Sequence, residues 1–378
     1  MFLIAGEASG DKLGAALMAG LRQLAPDVRF AGVGGPLMQA EGLQSLFPME
    51  DLSVMGLMKV LTRYRMLKRR IAATAAAVTA LAPDALIGID SPDFCLRVAA
   101  LARKANPRLR TMHYVAPSVW AWRPGRAARM ARVIDHVLAL LPFEPPYMQA
   151  AGMSCDFVGH PVVAEPVATP AEAAAFRAAH GIAPEAPLVL ALPGSRRGEV
   201  RRIGPTFDEA LMRVRDRVPE LRVVLPTVRG VAPLVREISA RWPVAPVVVE
   251  APGDKRAAFA AADLALAASG TVSLELAASA TPMVIAYDMA WLSRQIIGRL
   301  LKVDTVTLVN LVSETRAVPE FLGARCTPDL LAPALLTLLE DEAARAAQRA
   351  AMRLTMERLG AGGEPPGLRA ARSVLAHL

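Results

Sequence analysis

The sequence predicts an α/β protein built from two doubly wound units, and three observations lead to that fold class. The chain has 378 residues, more than one ordinary core accommodates. Hydrophobic residues make up 53% of it and charged residues 21%, a composition typical of chains that fold. Short apolar runs of strand type alternate throughout with alanine- and leucine-rich helical stretches. Such alternation indicates parallel sheets flanked by helices.

The first series of elements occupies the N-terminal half. Its strands are predicted from FLIAG, VRFAGVGG, ALIGID and LRTMHYVAP, each followed by a helical stretch. The opening strand leads through AGEASG into a helix, which is where a dinucleotide loop would lie. This loop lacks the GxGxxG pattern, and the carboxylate of Glu7 would repel a pyrophosphate. The loop is therefore a poor phosphate site.

The pattern restarts after HPVVAEPVATP, a stretch near residues 160 to 172 that we interpret as a linker. Strands of the second unit are predicted from PLVLALPGS, LRVVLPTV, APVVVEAPG, ADLALAASG and TPMVIAYD. We expect a first domain over residues 1–165 and a second over residues 166–344. Ligands of such sheets bind at the carboxyl ends of the strands, so two units facing one another would enclose a cleft.

Charge and targeting signals restrict the partners. The net charge of +8 suits phosphate-bearing substrates, an anionic membrane surface or nucleic acid, and its excess lies mainly in the N-terminal half. No RNP, KH or zinc-finger signature supports nucleic-acid binding. We see no signal peptide and no apolar stretch long enough to span a bilayer, which predicts a cytoplasmic protein. None of the three cysteines forms a CxxC motif, so no metal site is expected.

One turn of the second unit suits a phosphate. In LALPGSRRGEV a strand runs through Gly194 and Ser195 into a helix. Gly194 lets the backbone approach a ligand, the helix N-terminus offers unpaired N–H groups, and Arg196 can fork onto a phosphate. The alternative is an ordinary turn with a surface arginine.

A second turn in the same unit suits a nucleoside. In ALAASGTVSLELA, a helix is capped by Ser269, Gly270 and Thr271, and Glu275 lies one helical turn beyond Thr271. A carboxylate there could accept both hydroxyls of a ribose. The alternative is a first-turn acid that only stabilises the helix dipole.

Two stretches of the first unit carry further candidates. In GIDSPDF, Asp90 follows a buried strand directly and can act as a general base, whereas Asp93 is better explained as the cap of the next helix. HYVAPSVWAWRPGR contains His113 and Trp120 beside arginines, and an indole can stack on a sugar. Aromatic packing under a loop explains Trp120 equally well.

The stretch Val54 to Arg70 combines apolar side chains at helical spacing with six cations. Such a helix can lie in a membrane interface, and an ordinary core-facing helix is the alternative. The residues that we assign to membrane or acyl contact are Val54, Met55, Leu57, Met58, Leu61, Arg63, Arg69 and Arg70.

Taken together and in order, the motifs resemble the lipid-A-disaccharide synthase family. The matching blocks are AGEASGDKLGA, GVGGPLM, DLSVMG, GIDSPDF, HYVAPSVWAWR, LPFEP, FVGHP, LPGSRRGEV, AASGTVSLE and VNLVSETRAVPE, which cover essentially the whole chain. Each block alone is a weak signal, and the ordered set is specific.

The resemblance implies an inverting glycosyltransferase of the GT-B type without a cofactor. It implies two Rossmann-like domains and C-terminal helices, here about residues 345–378, that cross back to the first. Family members transfer 2,3-diacylglucosamine from UDP to 2,3-diacylglucosamine 1-phosphate, forming a β-1,6-linked disaccharide and UDP. The reaction belongs to lipopolysaccharide biosynthesis at the cytoplasmic face of the inner membrane, so the resemblance implies peripheral membrane association.

The resemblance also implies roles for individual residues. Asp90 matches the general base and Arg196 the residue near the UDP phosphates. The expected UDP-sugar contacts are Gly194, Ser195, Arg196, Ser269, Gly270, Thr271, Glu275 and Asn310. The expected acceptor contacts are Glu7, Ser9, His113 and Trp120.

Two alternatives stay open at this stage. The chain could be another GT-B enzyme acting on UDP-sugars, such as a 2-epimerase or a transferase with a water-soluble acceptor, or a catalytically silent binding module. The C-terminal helices could also exchange between protomers of a homodimer.

Overall fold

Two parallel six-stranded sheets organise the chain. The computed structural model describes residues 1–52, 57–289 and 303–378, apart from the side chains of residues 57–63. Contacts divide the described chain into unit 1, which comprises Met1–Ala164 with Leu359–Leu378, and unit 2, which comprises Glu165–Arg358. Both units are α/β, as the sequence predicts.

The strands of unit 1 are β1 (Phe2–Ala5), β2 (Ala31–Val33), β3 (Ala85–Ile89), β4 (Arg110–Tyr114), β5 (His136–Ala139) and β6 (Ser154–Phe157). They pair in the order β2-β1-β3-β4-β5-β6. The strands of unit 2 are β7 (Leu188–Leu192), β8 (Arg222–Pro226), β9 (Val247–Val249), β10 (Leu264–Ala268), β11 (Met283–Tyr287) and β12 (Glu320–Leu322). Their order is β12-β11-β10-β7-β8-β9. Central strands such as β1, β3, β7 and β10 are buried along their whole length because helices cover both faces of the sheet.

The described helices of unit 1 are α1 (Ala8–Leu24), α2 (Pro36–Ala40), α3 (Leu57–Leu81), α4 (Pro92–Ala105), α5 (Gly125–Met130) and α6 (Pro145–Gln149). Those of unit 2 are α7 (Pro170–Ala179), α8 (Arg197–Arg217), α9 (Ala232–Ser239), α10 (Pro252–Ala261), α11 (Val272–Ala278), α12 (Leu308–Ser313), α13 (Pro328–Glu340) and α14 (Glu342–Arg358), and α15 (Pro366–Ala376) returns to unit 1. Among the described residues, no helix is both long and apolar enough to cross a membrane.

The C-terminal segment differs in part from the prediction that residues from about 345 onward join the first domain. Helix α14 belongs to unit 2, where the buried amide of Gln348 exchanges hydrogen bonds with the backbone of Met283. Only Leu359–Leu378 group with unit 1. There α15 packs closely on α1, because a Cβ added to Gly20 would lie 2.6 Å from the carbonyl oxygen of Gly367. The absence of side chains at this crossing permits the close approach.

A histidine anchors α15 to the sheet of unit 1. The buried imidazole of His136 in β5 is 2.8 Å from the hydroxyl of Ser154 and 2.8 Å from that of Ser373 in α15. The ring also stacks on His377, with the centroids 3.7 Å apart. Burial and the neighbouring His377 lower the pKa of His136 to about 4, so the ring is neutral at pH 7.

A buried carboxylate holds the β2–α2 turn of unit 1. Asp11, in the first turn of α1, is 2% exposed and accepts hydrogen bonds from the backbone N–H groups of Gly35, Leu37 and Met38 at 2.9–3.0 Å. These groups begin α2, whose first amides have no partner within the helix. Asp11 is therefore a cap that one helix supplies to the next.

Candidate functional site

Each sheet reverses its strand order at one position, and such a switch point is where ligands of doubly wound sheets bind. In unit 1 the chain moves from β1 outward to β2 and then returns to β3 on the other side of β1, with Ala5 opposite Ile89. In unit 2 the switch lies between β7 and β10, with Leu192 opposite Ala267. The carboxyl ends of these two strand pairs define two candidate sites, one in each unit.

The site of unit 1 is a cavity of about 450 Å³ at the ends of β1 and β3. Polar side chains enter it from the strand ends and from the start of α4. Helix α3 and the segment before it supply mainly apolar groups. The residues that line it are Glu7, Leu52, Tyr64, Leu67, Lys68, Ile71, Asp90, Ser91, Pro92, Asp93, Phe94 and Arg97. We name this the unit 1 cavity.

Asp90 is held in a defined orientation in this cavity. One carboxylate oxygen accepts a hydrogen bond from the hydroxyl of Ser9 at 3.1 Å, and the other accepts one from the backbone N–H of Ser91 at 2.9 Å. Glu7, a predicted acceptor contact, lines the same cavity as Asp90, the predicted general base. Ser9, another predicted acceptor contact, bonds directly to Asp90. A carboxylate oriented in this way can accept a proton from a bound hydroxyl.

The backbone that presents Asp90 is strained. Asp90 and Ser91 have φ angles of 52° and 43°, the left-handed region that non-glycine residues rarely adopt. Val115, at the end of the neighbouring strand β4, has φ of 86°, which is rarer still for a β-branched residue. Strain of this kind persists only where the surrounding structure imposes it, and it is concentrated at functional sites.

Close packing imposes this conformation from the opening loop. A Cβ added to Gly6 would lie 2.5 Å from the hydroxyl oxygen of Ser91 and 2.9 Å from its Cβ. A glycine is therefore needed at Gly6 because the β1–α1 turn and the β3–α4 turn touch there, which explains this residue without a bound phosphate.

Two predicted acceptor residues lie elsewhere in unit 1. His113 is 1% exposed, and neither it nor Trp120 is among the described residues that line the unit 1 cavity. Burial, with a smaller contribution from Arg126, lowers the pKa of His113 to about 4. The side chain is therefore a neutral group in the interior of the sheet, and the prediction of an acceptor contact at His113 is not supported by its position.

The indole of Trp120 is fixed by a buried acid. Its N–H donates to Glu144 at 3.3 Å, and its ring meets Phe143 edge to face at 5.2 Å. Glu144 also accepts a hydrogen bond from the backbone of Leu141 at 3.0 Å. Burial raises the pKa of Glu144 to about 7. Packing against Phe143 and Glu144 thus accounts for the position of Trp120, and its role as an acceptor contact stays a prediction.

The site of unit 2 is a pocket of about 400 Å³ at the ends of β7, β8 and β10. We name it the unit 2 pocket. Seven of the eight predicted UDP-sugar residues line it: Gly194, Ser195, Arg196, Ser269, Gly270, Thr271 and Glu275. The two turns that suit a phosphate and a ribose therefore share one pocket.

Asn310, the eighth, is placed differently. Its side chain is 1% exposed, donates to the carbonyl of Val318 at 2.8 Å and accepts from the N–H of Val318 at 3.0 Å. Both polar atoms of the amide thus hold a loop, and Asn310 is not among the described residues that line the unit 2 pocket. The sequence motif marked a structural position of unit 2.

Arg196 immediately precedes α8 and lies beside a glutamate of the same turn. Its guanidinium lies 2.8 Å from Glu199, and its backbone N–H donates to the same carboxylate at 3.2 Å. The side chain is 61% exposed, and such pairs contribute only about 0.2–1 kcal/mol. A phosphate could therefore take Arg196 from Glu199 at little cost, beside the N-terminal amides of a 21-residue helix.

Sequence reasoning missed three polar residues of the unit 2 pocket. Lys255 from α10 forms an ion pair with Glu275 at 2.5 Å, Glu199 holds Arg196, and Thr227 follows β8. Thr227 follows β8, which is next to the switch point, and Lys255 follows the edge strand β9, so the rule that ligands bind at strand ends could have identified both. Glu199 has the three-residue spacing from the N-cap that is typical of a capping box.

The structure describes only part of the predicted membrane surface, on α3. Val54 and Met55 lie outside the described residues, and the side chains of Leu57, Met58, Leu61 and Arg63 are likewise outside them. Arg69 is exposed. Arg70 instead pairs with Asp51 at 2.6 Å and covers the ring of Phe47 at 4.4 Å. The charge of Arg70 is therefore paired within unit 1, and its assignment to a membrane contact stays a prediction.

Solved structures of similar fold place the molecule in a class. The UDP-N-acetylglucosamine 2-epimerase of Neisseria meningitidis, bound to UDP-N-acetylglucosamine, matches with a TM-score of 0.60 over 99% of this chain and 97% of that one, at 10% identity. The HepE protein of Anabaena, in complex with UDP-glucose, matches with a TM-score of 0.61 over 100% and 99%, at 13% identity. With a strand-end site in each of two α/β units, the fold is of the GT-B type.

Sequence comparison is more specific. The family model described as lipid-A-disaccharide synthetase matches residues 1–363. The lipid-A-disaccharide synthase of Ruegeria pomeroyi is 64% identical over 100% of this chain and 95% of its own length. The chain therefore belongs to the lipid-A-disaccharide synthase family, and it is a glycosyltransferase.

Proposed function

We propose that this glycosyltransferase transfers 2,3-diacylglucosamine from UDP-2,3-diacylglucosamine to 2,3-diacylglucosamine 1-phosphate, with inversion, forming the β-1,6-linked disaccharide 1-phosphate and UDP. The observation that carries the proposal is the contrast between the two sites. The unit 1 cavity combines an oriented carboxylate with apolar walls, which suits a lipid-linked sugar hydroxyl. The unit 2 pocket combines glycine turns, hydroxyls and cations, which suits a nucleoside diphosphate.

Asp90 is the general base in this proposal. Its carboxylate takes the proton of the acceptor 6-hydroxyl as that oxygen attacks the anomeric carbon of the donor. The hydrogen bonds from Ser9 and from the N–H of Ser91 keep the carboxylate aligned. Glu7, in the same cavity, accepts hydrogen bonds from other hydroxyls of the acceptor sugar.

Arg196 assists the departure of UDP. When the bond from the anomeric carbon to the phosphate oxygen breaks, the electron pair leaves with UDP, and negative charge grows on the diphosphate. The guanidinium of Arg196 and the amides at the start of α8 stabilise that charge. Glu275 holds the ribose hydroxyls once they displace Lys255 from its carboxylate.

The two-substrate assay tests the reaction directly. Purified protein is mixed with both lipids in neutral detergent and EDTA, and the product is identified by mass spectrometry. We expect one disaccharide 1-phosphate per UDP released. UDP-N-acetylglucosamine without lipid should remain unchanged, as a control against epimerase activity. No disaccharide with both lipids present would contradict the proposal.

We further propose that the protein binds the cytoplasmic surface of the inner membrane through α3. Arg65 and Arg69 are exposed and lie one helical turn apart, so both can meet anionic headgroups. Reversing both charges should abolish sedimentation with anionic vesicles while leaving activity in neutral micelles unchanged. Equal losses in the two assays would argue for a folding role. A homodimer stays a prediction, which light scattering of the purified protein tests.

A further inference from the structure

The unit 1 cavity contains two cations that the proposed chemistry does not use. Lys68 lies on α3 and Arg97 on α4, and both line the cavity together with Asp90. The two helices pack against one another, so the cations approach the cavity from adjacent elements. Both side chains are exposed.

Neither cation has an acidic partner among the described side chains of unit 1. Asp93 precedes Arg97 by one helical turn and shares the cavity, yet the two are not paired. Arg70 and Arg103, on the same two helices, each have an acidic partner, Asp51 and Asp135 respectively. Lys68 and Arg97 thus differ from these neighbours in being available to a ligand.

The unit 1 cavity receives charged groups from the strand ends and from the helices. Glu7 and Asp90 come from the strand ends, Lys68 and Arg97 come from the helices, and Asp93 lies in the first turn of α4. Arg97 lies about 9 Å along α4 from Ser91, by the rise of an α-helix. A ligand with a hydroxyl at one end and an anion at the other would therefore find a base at the strand ends and positive charge at the helices. A dianion placed beside the carboxylates alone would be repelled.

We infer that Lys68 and Arg97 bind the phosphate of the acceptor and so make the enzyme selective for a sugar 1-phosphate. The inference rests on the proposed function and names the residues that recognise the phosphate of its acceptor. The guanidinium of Arg97 forks onto two phosphate oxygens, and the ammonium of Lys68 adds a second positive charge. Leu67, Ile71 and Phe94, between and beside the cations, contact the acyl-bearing face of the same molecule.

The test compares two acceptors in neutral detergent micelles. One is 2,3-diacylglucosamine 1-phosphate, and the other is the same lipid with a 1-O-methyl group, which keeps the attacking hydroxyl and removes the charge. Lys68→Ala and Arg97→Ala should each lower kcat/KM for the phosphate acceptor about tenfold, the lower range for hydrogen bonds to a charged group. For the methyl acceptor we expect less than about a twofold change, so the ratio between the acceptors falls.

Matched controls separate charge recognition from general damage. Lys104→Ala removes an exposed cation of α4 that is not among the described cavity residues, and it should leave the ratio unchanged. Lys68→Arg keeps the charge and should keep most of the selectivity. Variants that retain the wild-type ratio, or lose both acceptors equally, would overturn the inference. If the wild-type protein forms no disaccharide from either acceptor, the proposed function itself fails, a result distinct from an unchanged ratio in an active enzyme.

Discussion

The unit 1 cavity and the unit 2 pocket lie at the same topological position of two parallel sheets, yet they are built from different groups. The unit 1 cavity places carboxylates beside helices that supply apolar side chains and the cations Lys68 and Arg97. The unit 2 pocket brings together glycines, hydroxyls and two cations, each paired with a glutamate of the pocket. One fold position therefore carries groups suited to proton transfer in one unit and groups suited to anion binding in the other, because the residues after the strands differ.

The backbone shows the same contrast. In unit 1 the strained residues at the strand ends, Asp90, Ser91 and Val115, are not glycines, so unusual conformations are used to aim side chains. Among the described residues that line the unit 2 pocket, the positive φ angles fall on Gly194 and Gly270, and a Cβ at Gly270 would meet nothing within 4 Å. The open space beside Gly270 lets a ligand approach the backbone itself.

Removing the base should give the largest effect. Asp90→Asn keeps the size of the side chain and loses its basicity, so we expect kcat to fall about a thousandfold, the mid-range for general-base catalysis. UDP affinity, measured by calorimetry, should be unchanged because UDP is assigned to unit 2. Asp93→Asn, which alters another acid of the same cavity, is the matched control and should cost far less. Comparable losses in the two variants would break the distinction between Asp90 and Asp93.

Removing Arg196, the cation assigned to the UDP phosphates, should give the second-largest effect. Arg196→Ala should lower kcat by about 10²–10³-fold, as expected for the loss of one group that stabilises a developing charge. Unlike the Asp90 variant, it should also weaken UDP binding. Arg197→Ala removes the adjacent exposed arginine and serves as the control. Unchanged UDP affinity in Arg196→Ala would contradict the assignment of the diphosphate to the unit 2 pocket.

A third substitution tests an acid of unit 1 that serves structure instead of chemistry. Asp11→Ala leaves three backbone N–H groups of the β2–α2 turn without their acceptor. We expect the free energy of unfolding to fall by about 2–3 kcal/mol, the cost of unsatisfied buried donors. Urea denaturation measures this, with Asp27→Ala at an exposed site of the same unit as control. Equal stability of the two variants would show that the turn does not depend on Asp11.

The pH dependence of stability sharpens the comparison because the groups with strongly shifted pKa values lie in unit 1. His113 and His136 have pKa values of about 4, below the ordinary 6.5, so their contribution to stability is lost as the pH falls from 6.5 towards 4. Glu144 has a pKa of about 7, above the ordinary 4.5, so it contributes stability that is lost as the pH rises through 7. As the pH falls from 7 to 5, protonation of Glu144 therefore raises the free energy of unfolding, whereas protonation of the histidines lowers it.

Glu144→Gln should remove the stabilisation that protonation of Glu144 provides as the pH falls. Between pH 7 and pH 5 we expect the free energy of unfolding of the variant to fall by about 2 kcal/mol more than that of the wild type. Glu165→Gln, outside unit 1, is the control and should follow the wild-type curve. Parallel curves for Glu144→Gln and the wild type would mean that Glu144 stays ionised in the folded protein down to pH 5.

Much of both sites was predictable because strand-end motifs report on local structure. The turns after β7 and β10 are read from glycines, hydroxyls and helix caps, and they meet in one pocket because parallel strands end at one edge. Asp90 is predicted for the same reason. The positions of His113 and Asn310 were not predictable, because a histidine in a strand does not reveal which face it occupies and a polar residue in a motif can bind either a ligand or the backbone.

The sequence by itself determined the class of fold, the division near the linker and the family, because periodicity, glycine turns and ordered motifs are local properties of the chain. Tertiary structure alone decided which charges remain available. Arg70 is paired with Asp51 and Lys68 is not, although both lie on α3. It also decided that Ser9 and Ser91 hold the two oxygens of Asp90. Pairing depends on distances between residues far apart in the chain, and spacing along the sequence carries no information about those distances.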